Sequence, residues 1–323
     1  MDLSNLFNMK LEIILSSFII TLSSLYFFQK LFLQKGILDK INFRSSHTTE
    51  ATRNGGIGLI FSLLFISIVF YLTGYEIFDY SILVPLTILI TVGLYDDIYS
   101  VDFKLKFIFQ IIFAKIVIDS GLLIDNLHGV FGINEINRVV AQLISIFIIT
   151  AIINAINFID GIDGLSIFII SFFIIMFELL GIGNSPFFNL SLILISSFIP
   201  LLYFNFRKEK KIFLGDSGSL FLGGVTAIYI MHIFSSKYII NESYDINKIF
   251  YVISILIYPI IDITRVVFIR IFNGKSPFDA DKNHIHHILL NVLNSHYKVS
   301  LLLLILSGIN FVIIHFIFYN YIN

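Results

Sequence analysis

Long apolar stretches dominate the chain, and its polar residues gather in short segments between them. Crossing a bilayer takes about 20 predominantly apolar residues in a helix. Ten runs approach that length, at 11–33, 55–73, 81–95, 105–124, 139–153, 165–181, 188–204, 219–235, 249–272 and 299–319. The third and fifth are short and extend into their flanks. The pattern predicts an all-α integral membrane protein, a polytopic bundle of about 10–11 transmembrane helices. No internal repeat or long linker divides it, so residues 1–323 read as a single domain. The first run does not read as a cleaved leader, because it lacks a basic amino end and a small-x-small cleavage site.

Composition narrows the class further. Hydrophobic residues make up 57% of the chain and charged residues 13%, about half the charged share of a soluble domain, which is about 25%. That is too little charge for a soluble surface and too much apolar mass for a disordered chain. The balance of 21 Lys+Arg against 22 Asp+Glu excludes a nucleic-acid binder working through bulk positive charge. Cysteine is absent, so thiolate chemistry and Cys-ligated metals are excluded. When the connections are numbered alternately, fourteen basic residues fall on one set and four on the other. The richer set is expected in the cytoplasm, with both termini on the opposite side.

The unusual polar residues lie in or beside that richer set. Asp96 and Asp97 are adjacent acids that would repel without a cation, and Lys104 and Lys106 follow closely. In NAINFIDGIDG, Asn154 and Asn157 share a helix face, and Gly161 and Gly164 loosen the chain so that Asp160 and Asp163 can turn toward one pocket. These oxygen donors suit Mg²⁺ or Mn²⁺, whereas helix capping would account for one or two of the four residues. The segment Gly215-Asp216-Ser217-Gly218-Ser219 opens a span, where backbone N–H groups suit a phosphate and Asp216 would hold a bridging metal. A simple N-cap is the rival reading. His284, His286 and His287 form HIHH after Pro277-Phe278-Asp279; they suit a nucleotide or diphosphate better than zinc. Arg44-Ser-Ser-His47 through Arg53-Asn-Gly-Gly56 would contact an anionic headgroup or substrate, or serve only as a positive flank. Together these groups point to phosphoanhydride chemistry at a membrane edge, between a soluble activated donor and a membrane-held acceptor.

The set DDIYSVDFKLKFIFQ, NAINFIDGIDGL, GDSGS and SPFDADKNHIHH, in this order, resembles the polytopic polyprenyl-phosphate N-acetylhexosamine-1-phosphate transferases of glycosyltransferase family 4. The resemblance covers about residues 44–290. It implies a ten- or eleven-span bundle in a bacterial plasma membrane with a cytoplasmic active site. The implied reaction moves a sugar-1-phosphate, most commonly N-acetylglucosamine-1-phosphate, from a UDP-N-acetylhexosamine to undecaprenyl phosphate and releases UMP. This is the first membrane step of a cell-surface polysaccharide. Mg²⁺ is the implied cofactor, with Mn²⁺ as the alternative. By residue, Asn157 and Asp216 match the metal ligands, Asp96 and Asp97 the essential pair, and Asp160 and Asp163 the acids of the central motif. Asn154 belongs to the same motif, Lys106 lies near a basic position of the family, and His284, His286 and His287 match a nucleotide-side loop. Arg53 precedes the Gly-Gly pair, but Thr52 stands where the family commonly has proline. His-Ile-His-His after SPF is similar to the O-antigen and teichoic-acid branch. The branch that transfers phospho-MurNAc-pentapeptide usually has three consecutive histidines. Partners are thus the nucleotide sugar, the polyprenyl phosphate and the bilayer, with no nucleic acid; a homodimer is left open.

A secondary transporter is the rival class, with Asp119, Glu178 and Asp262 as ion-path acids. Transporters tend to show paired repeats and midplane polar sites, and neither pattern is present.

Overall fold

In a computed structural model, residues 3–39, 51–127, 129, 132–182, 185–234, 238–239, 247–276 and 281–322 are described. The segment at Arg44–His47, the triplet Pro277–Asp279 and His128 lie outside them. The chain is α-helical apart from two short strands. Its elements are α1 (Leu3–Gln34), β1 (Ala51–Thr52), α2 (Gly55–Leu72), α3 (Leu83–Tyr99), α4 (Phe103–Asp119), α5 (Arg138–Ile159), α6 (Leu165–Leu180), α7 (Phe188–Asn205), β2 (Lys211–Ile212), α8 (Gly215–Phe234), α9 (Asn247–Ile255), α10 (Ile257–Phe272), α11 (Ile285–Leu293) and α12 (His296–Ile322).

Each of the ten apolar runs falls on a helix, except that 249–272 is divided between α9 and α10. Among the described residues, seven helices are long and apolar enough to cross a bilayer, and the α9–α10 pair, bent by 77°, makes an eighth. This multi-pass count is lower than the run count for physical reasons. Helix α6 has only 16 residues. Helix α4 has 17 and carries Lys104, Lys106, Lys115 and Asp119. The bend falls at Leu256, just before Pro259 in the first turn of α10, where its missing N–H costs nothing.

The chain forms two compact units. The first comprises residues 1–101 and 184–221, the second 102–183 and 222–323. In the first, α1 packs on α2 and α7. A Cβ on Gly58 would lie 2.5 Å from Leu25 Cδ2, and Ser24 Oγ donates to Gly58 O at 2.9 Å. Small residues let membrane helices approach in this way. Strands β1 and β2 pair in parallel, Ala51 with Lys211 and Thr52 with Ile212. Each strand leads directly into a helix, α2 or α8. Gly55 N donates to Phe213 O at 2.9 Å and Gly56 N to Leu214 O at 2.7 Å, so the two helix starts lie side by side.

In the second unit, α5 packs on α4, α6 and α10, and α12 on α6, α9, α10 and α11. Tyr229 of α8 is fully buried against Phe173 and Phe177. A Cβ on Gly223 would lie 2.9 Å from Ile153 Cα.

Candidate active site

The first unit places its chemistry at the paired starts of α2 and α8. Asp97, buried near the end of α3, accepts the N–H of Asp216 on Oδ1 at 2.8 Å and that of Ser217 on Oδ2 at 2.9 Å. Two N–H groups at a helix start have no intrahelical partner, and the negative charge complements the partial positive charge there. The donors expected to receive a phosphate are therefore held by a carboxylate of the protein's own. Gly215 permits this on two counts. Its φ is +76°, and a Cβ would lie 2.7 Å from Asp97 Oδ2. Gly93 lets α3 come close enough, since a Cβ there would lie 2.6 Å from Asp216 O. Asp96 is also buried, and its Oδ1 accepts Val101 N at 2.6 Å, closing the turn after α3. Arg53 lies 2.8 Å from Asp39. Burial opposes its charge, but Asp39, Asp97 and Asp216 outweigh burial and raise the guanidinium pKa. Arg53 thus sits in the field of the acids that the sequence singles out.

Among the described residues, Asn54 Oδ1 is buried here without a hydrogen-bond partner, and the Ser217 hydroxyl sits beside the Asp97 carboxylate. A Cβ on Gly56, two residues from Asn54, would lie 2.6 Å from Ser217 Oγ. The Asp216 carboxylate, the Asn54 amide oxygen and the Ser217 hydroxyl are oxygen donors of the kind that suits a hard divalent ion.

The second unit gathers the remaining candidates. Helix α5 ends at Ile159, and Asp160 caps its carboxyl end. Asp160 accepts from Ser166 Oγ at 2.6 Å. Asp163 is buried, with His296 Nδ1 3.0 Å from its carboxylate, and Ser300 Oγ donates to its carbonyl at 2.7 Å. The two acids of the central motif therefore take different partners. Gly164, at φ +72°, starts α6. Asn154 is buried and exchanges hydrogen bonds with Gln110 of α4, donating at 2.7 Å and accepting at 3.2 Å. Its other amide hydrogen goes to Thr150 O at 2.7 Å. Lys106 precedes Gln110 by one turn, on the face that α4 turns toward α5. Asn157 is half-buried, one turn beyond Asn154.

The HIHH segment forms the start of α11 and packs on the central-motif turn. A Cβ on Gly161 would lie 2.5 Å from His286 Nε2 and 3.3 Å from His287 Cε1. His284 and His286 are buried. Desolvation, reinforced by the neighbouring histidines, lowers the His286 pKa well below the usual range and takes His287 to about 4, so both rings are neutral at pH 7. His286 Nδ1 lies 3.0 Å from Tyr258 OH, while its buried Nε2 has no partner. Asp262 and Arg270 flank His284, and Arg270 in turn holds Asp281. Asp262, His284 and His286 offer ligand-type atoms all within 4.8 Å of one another.

Several residues that order these groups carry no role in the sequence reading: Asp39 in the first unit, and Gln110, His296 and Arg270 in the second. Asp262 stands out there only as an acid within a span. Gln110 closes the first motif of the resemblance, and the others are single polar residues with no motif around them. The ion-path idea finds other uses for its acids. Asp119 is exposed and pairs with Lys115 at 2.5 Å, and Asp262 pairs with His284.

A multi-pass, mainly helical chain whose acids, amides and histidines gather at helix ends fits a membrane-bound transferase. Comparison with known sequences narrows the class. The model of the family described as Glycosyl transferase family 4 matches residues 80–235. A Haemophilus influenzae protein named undecaprenyl-phosphate alpha-N-acetylglucosaminyl 1-phosphate transferase is 30% identical over 85% of this chain and 77% of its own length. The chain belongs to glycosyl transferase family 4. The Pasteurella multocida protein of the same name is 33% identical over 79% of this chain and 71% of its own. A Bacillus subtilis relative, named "Probable undecaprenyl-phosphate N-acetylglucosaminyl 1-phosphate transferase", is 31% identical over 85% of this chain and 75% of its own.

Proposed function

We propose that this protein transfers N-acetylglucosamine-1-phosphate from UDP-N-acetylglucosamine to undecaprenyl phosphate, releasing UMP, as the first membrane step of a cell-surface polysaccharide. The names of its relatives support undecaprenyl phosphate as acceptor and N-acetylglucosamine-1-phosphate as the group transferred. The structural observation that carries the reading is an apolar groove of about 600 Å³ in the second unit, running along α5 and α10. Its lining reaches from Phe147 to Ile156 on α5 and ends next to Asn157. At 1.5 Å rise per residue that length is about 14 Å. The groove is almost wholly apolar and half open, suited to a polyprenyl chain whose phosphate rests at the polar end of α5.

The acceptor phosphate, with a second pKa near 6, is largely a dianion at pH 7 and needs little help from a base. It attacks the donor β-phosphorus, the bond to the bridging oxygen breaks, and UMP departs with that oxygen. Lys106 would draw the acceptor phosphate toward the Asn154–Asn157 face. The neutral rings of His286 and His287 would bind the donor through hydrogen bonds without adding charge. Asp160 and Asp163 would shape the turn beneath them. Both Asp97 oxygens are engaged by backbone N–H groups, which favours a positioning role over that of nucleophile or general base; Asp96 would hold the adjoining turn. Arg53 would offset the local negative charge. Asp216 and Asn157 are each proposed as an Mg²⁺ ligand, with Mn²⁺ as the substitute. When bound, the ion would neutralise developing charge on the leaving phosphate.

The excess of Lys and Arg on one set of connections favours a bacterial plasma-membrane location with this chemistry facing the cytoplasm and both termini outside. The test is UMP release by purified protein in detergent, with undecaprenyl phosphate and a panel of UDP-N-acetylhexosamines, with and without Mg²⁺. Lipid- and metal-dependent UMP from UDP-N-acetylglucosamine is the expected result. Equal release without the lipid, or from no donor by folded protein, would contradict the proposal.

A further inference from the structure

Helix α10 carries a buried polar stripe. Tyr258, Asp262, Val266 and Arg270 recur every four residues and therefore share one face. All four are buried, with Asp262 fully so. Each polar member of the stripe is bonded to the start of α11 or to the turn before it. Tyr258 OH lies 3.0 Å from His286 Nδ1. Arg270 Nε donates to Asp281 at 2.8 Å, and Arg270 NH2 lies 3.4 Å from His284 Nε2.

Asp262 is the centre of this arrangement. Its Oδ1 accepts the N–H of Ile285 at 2.7 Å and its Oδ2 lies 2.6 Å from His284 Nδ1. His284, the N-cap of α11, makes no side-chain capping bond of its own. Asp262 supplies that bond from a neighbouring helix. Guanidinium groups only donate. His284 Nε2 is therefore the acceptor toward Arg270, and the ring hydrogen sits on Nδ1, where Asp262 takes it. One carboxylate thus sets the start, the orientation and the tautomer of the histidine segment.

An alternative use of the same atoms is a metal site. Two ligands about 2.1 Å from a tetrahedral ion lie about 3.4 Å apart. The 2.6 Å separation of Asp262 Oδ2 from His284 Nδ1 is that of a hydrogen bond instead. An acid inside a span is costly to bury, so packing alone does not explain Asp262.

We infer that Asp262 is a positioning residue for the transfer reaction: acting through His284 and the start of α11, it aims His286 and His287 at the central-motif turn. This rests on the reading that the HIHH turn serves the nucleotide sugar. His286 Nε2, buried and without a partner beside Gly161, is the group whose aim is at stake.

Asp262→Asn keeps the shape but offers one acceptor where two are needed. It sets an amide NH2 against either Ile285 N–H or the Nδ1 hydrogen. The experiment measures UMP release by wild type, Asp262→Asn, Asp262→Glu, His284→Ala and the Asp262→Asn/His284→Ala double variant, each shown folded by monodispersity and melting. Asp262→Asn is expected to lose about 10–100-fold in kcat/KM for UDP-N-acetylglucosamine, as for other groups that orient a functional histidine. KM for the lipid acceptor stays unchanged, Asp262→Glu recovers part of the loss, and the double variant is no worse than the poorer single one. Fully additive losses, or wild-type kcat/KM in folded Asp262→Asn, would overturn the inference. A second readout covers the case in which Asp262→Asn does not fold. Ring ¹⁵N shifts of histidine-labelled wild type, assigned by difference from His284→Ala, should show the Nδ1–H form. An Nε2–H form, or a stoichiometric metal ion lost in His284→Ala, overturns it. His287→Ala with wild-type donor KM would sink the donor-side reading instead, while the tautomer measurement would still report on the link between Asp262 and His284.

Discussion

Replacing Asp97 by asparagine separates a positioning role from a chemical one. The side chain keeps its length but loses its charge and one of its two acceptors. Loss of the charge at the start of α8 costs about 0.3–1 kcal/mol, and up to about 2 where the site is partly buried. The new NH2 group then faces one of the two N–H donors of Asp216 and Ser217, which bonded at 2.8 and 2.9 Å before. A buried donor without an acceptor costs about 1–3 kcal/mol. The sum is about 1–5 kcal/mol, concentrated on the turn that carries Asp216. If about 1.4 kcal/mol of it falls on the metal-bound form, half-saturation by Mg²⁺ rises about tenfold. The assay is UMP release against Mg²⁺ concentration with both substrates saturating. The expected outcome is a raised Mg²⁺ requirement, with much of kcat restored at high Mg²⁺. A variant that stays inactive at saturating Mg²⁺ with an unchanged half-saturation would refute the reasoning and place Asp97 among the reacting groups.

Three further outcomes follow from the same geometry. Gly215→Ala meets both a φ of +76° and the Asp97 carboxylate 2.7 Å from the new Cβ; thermal unfolding should show a loss of about 1–3 kcal/mol, and a wild-type melting temperature would contradict the close approach. Gly161→Ala drives a methyl group to 2.5 Å from His286 Nε2, on a ring already held by Tyr258; donor KM should rise or kcat/KM fall about tenfold or more, with lipid KM unchanged. His287, at about 4 when folded and about 6.5 when unfolded, binds its proton more tightly in the unfolded chain. Its contribution to stability is complete above about pH 6.5 and is lost as pH falls toward 4; melting temperature should drop over that window, and His287→Asn should flatten the slope.

The helical membrane fold could be read from sequence because bilayer length leaves few alternatives for runs such as 55–73 and 188–204. The break at Leu256 could not, because apolar residues continue on both sides of it and the nearest breaker, Pro259, comes three residues later. The motifs located the polar groups but not their partners. Asp97 and the GDSGS turn were both visible. That one satisfies the other depends on β1 and β2 aligning two helix starts, and two-residue strands leave no period to detect. Asn154 shows the same limit, since its partner Gln110 lies 44 residues away on another helix. His296 has no partner nearby in the sequence, because its contact with Asp163 spans 133 residues.

The pairing of β1 with β2 has a consequence for synthesis. Thr52 leaves the ribosome about 160 residues before its partner Ile212. At about 5–20 residues per second the wait is roughly 8–30 s. During that time α2 and α3 are already made, while the strand and helix that complete their unit do not yet exist. The acid pair of α3 spends the interval without the N–H groups that later hold Asp97. A nascent chain halted after α6 would therefore carry the first motif in an unfinished setting, open to the quality-control proteases of the membrane until residues 184–221 arrive.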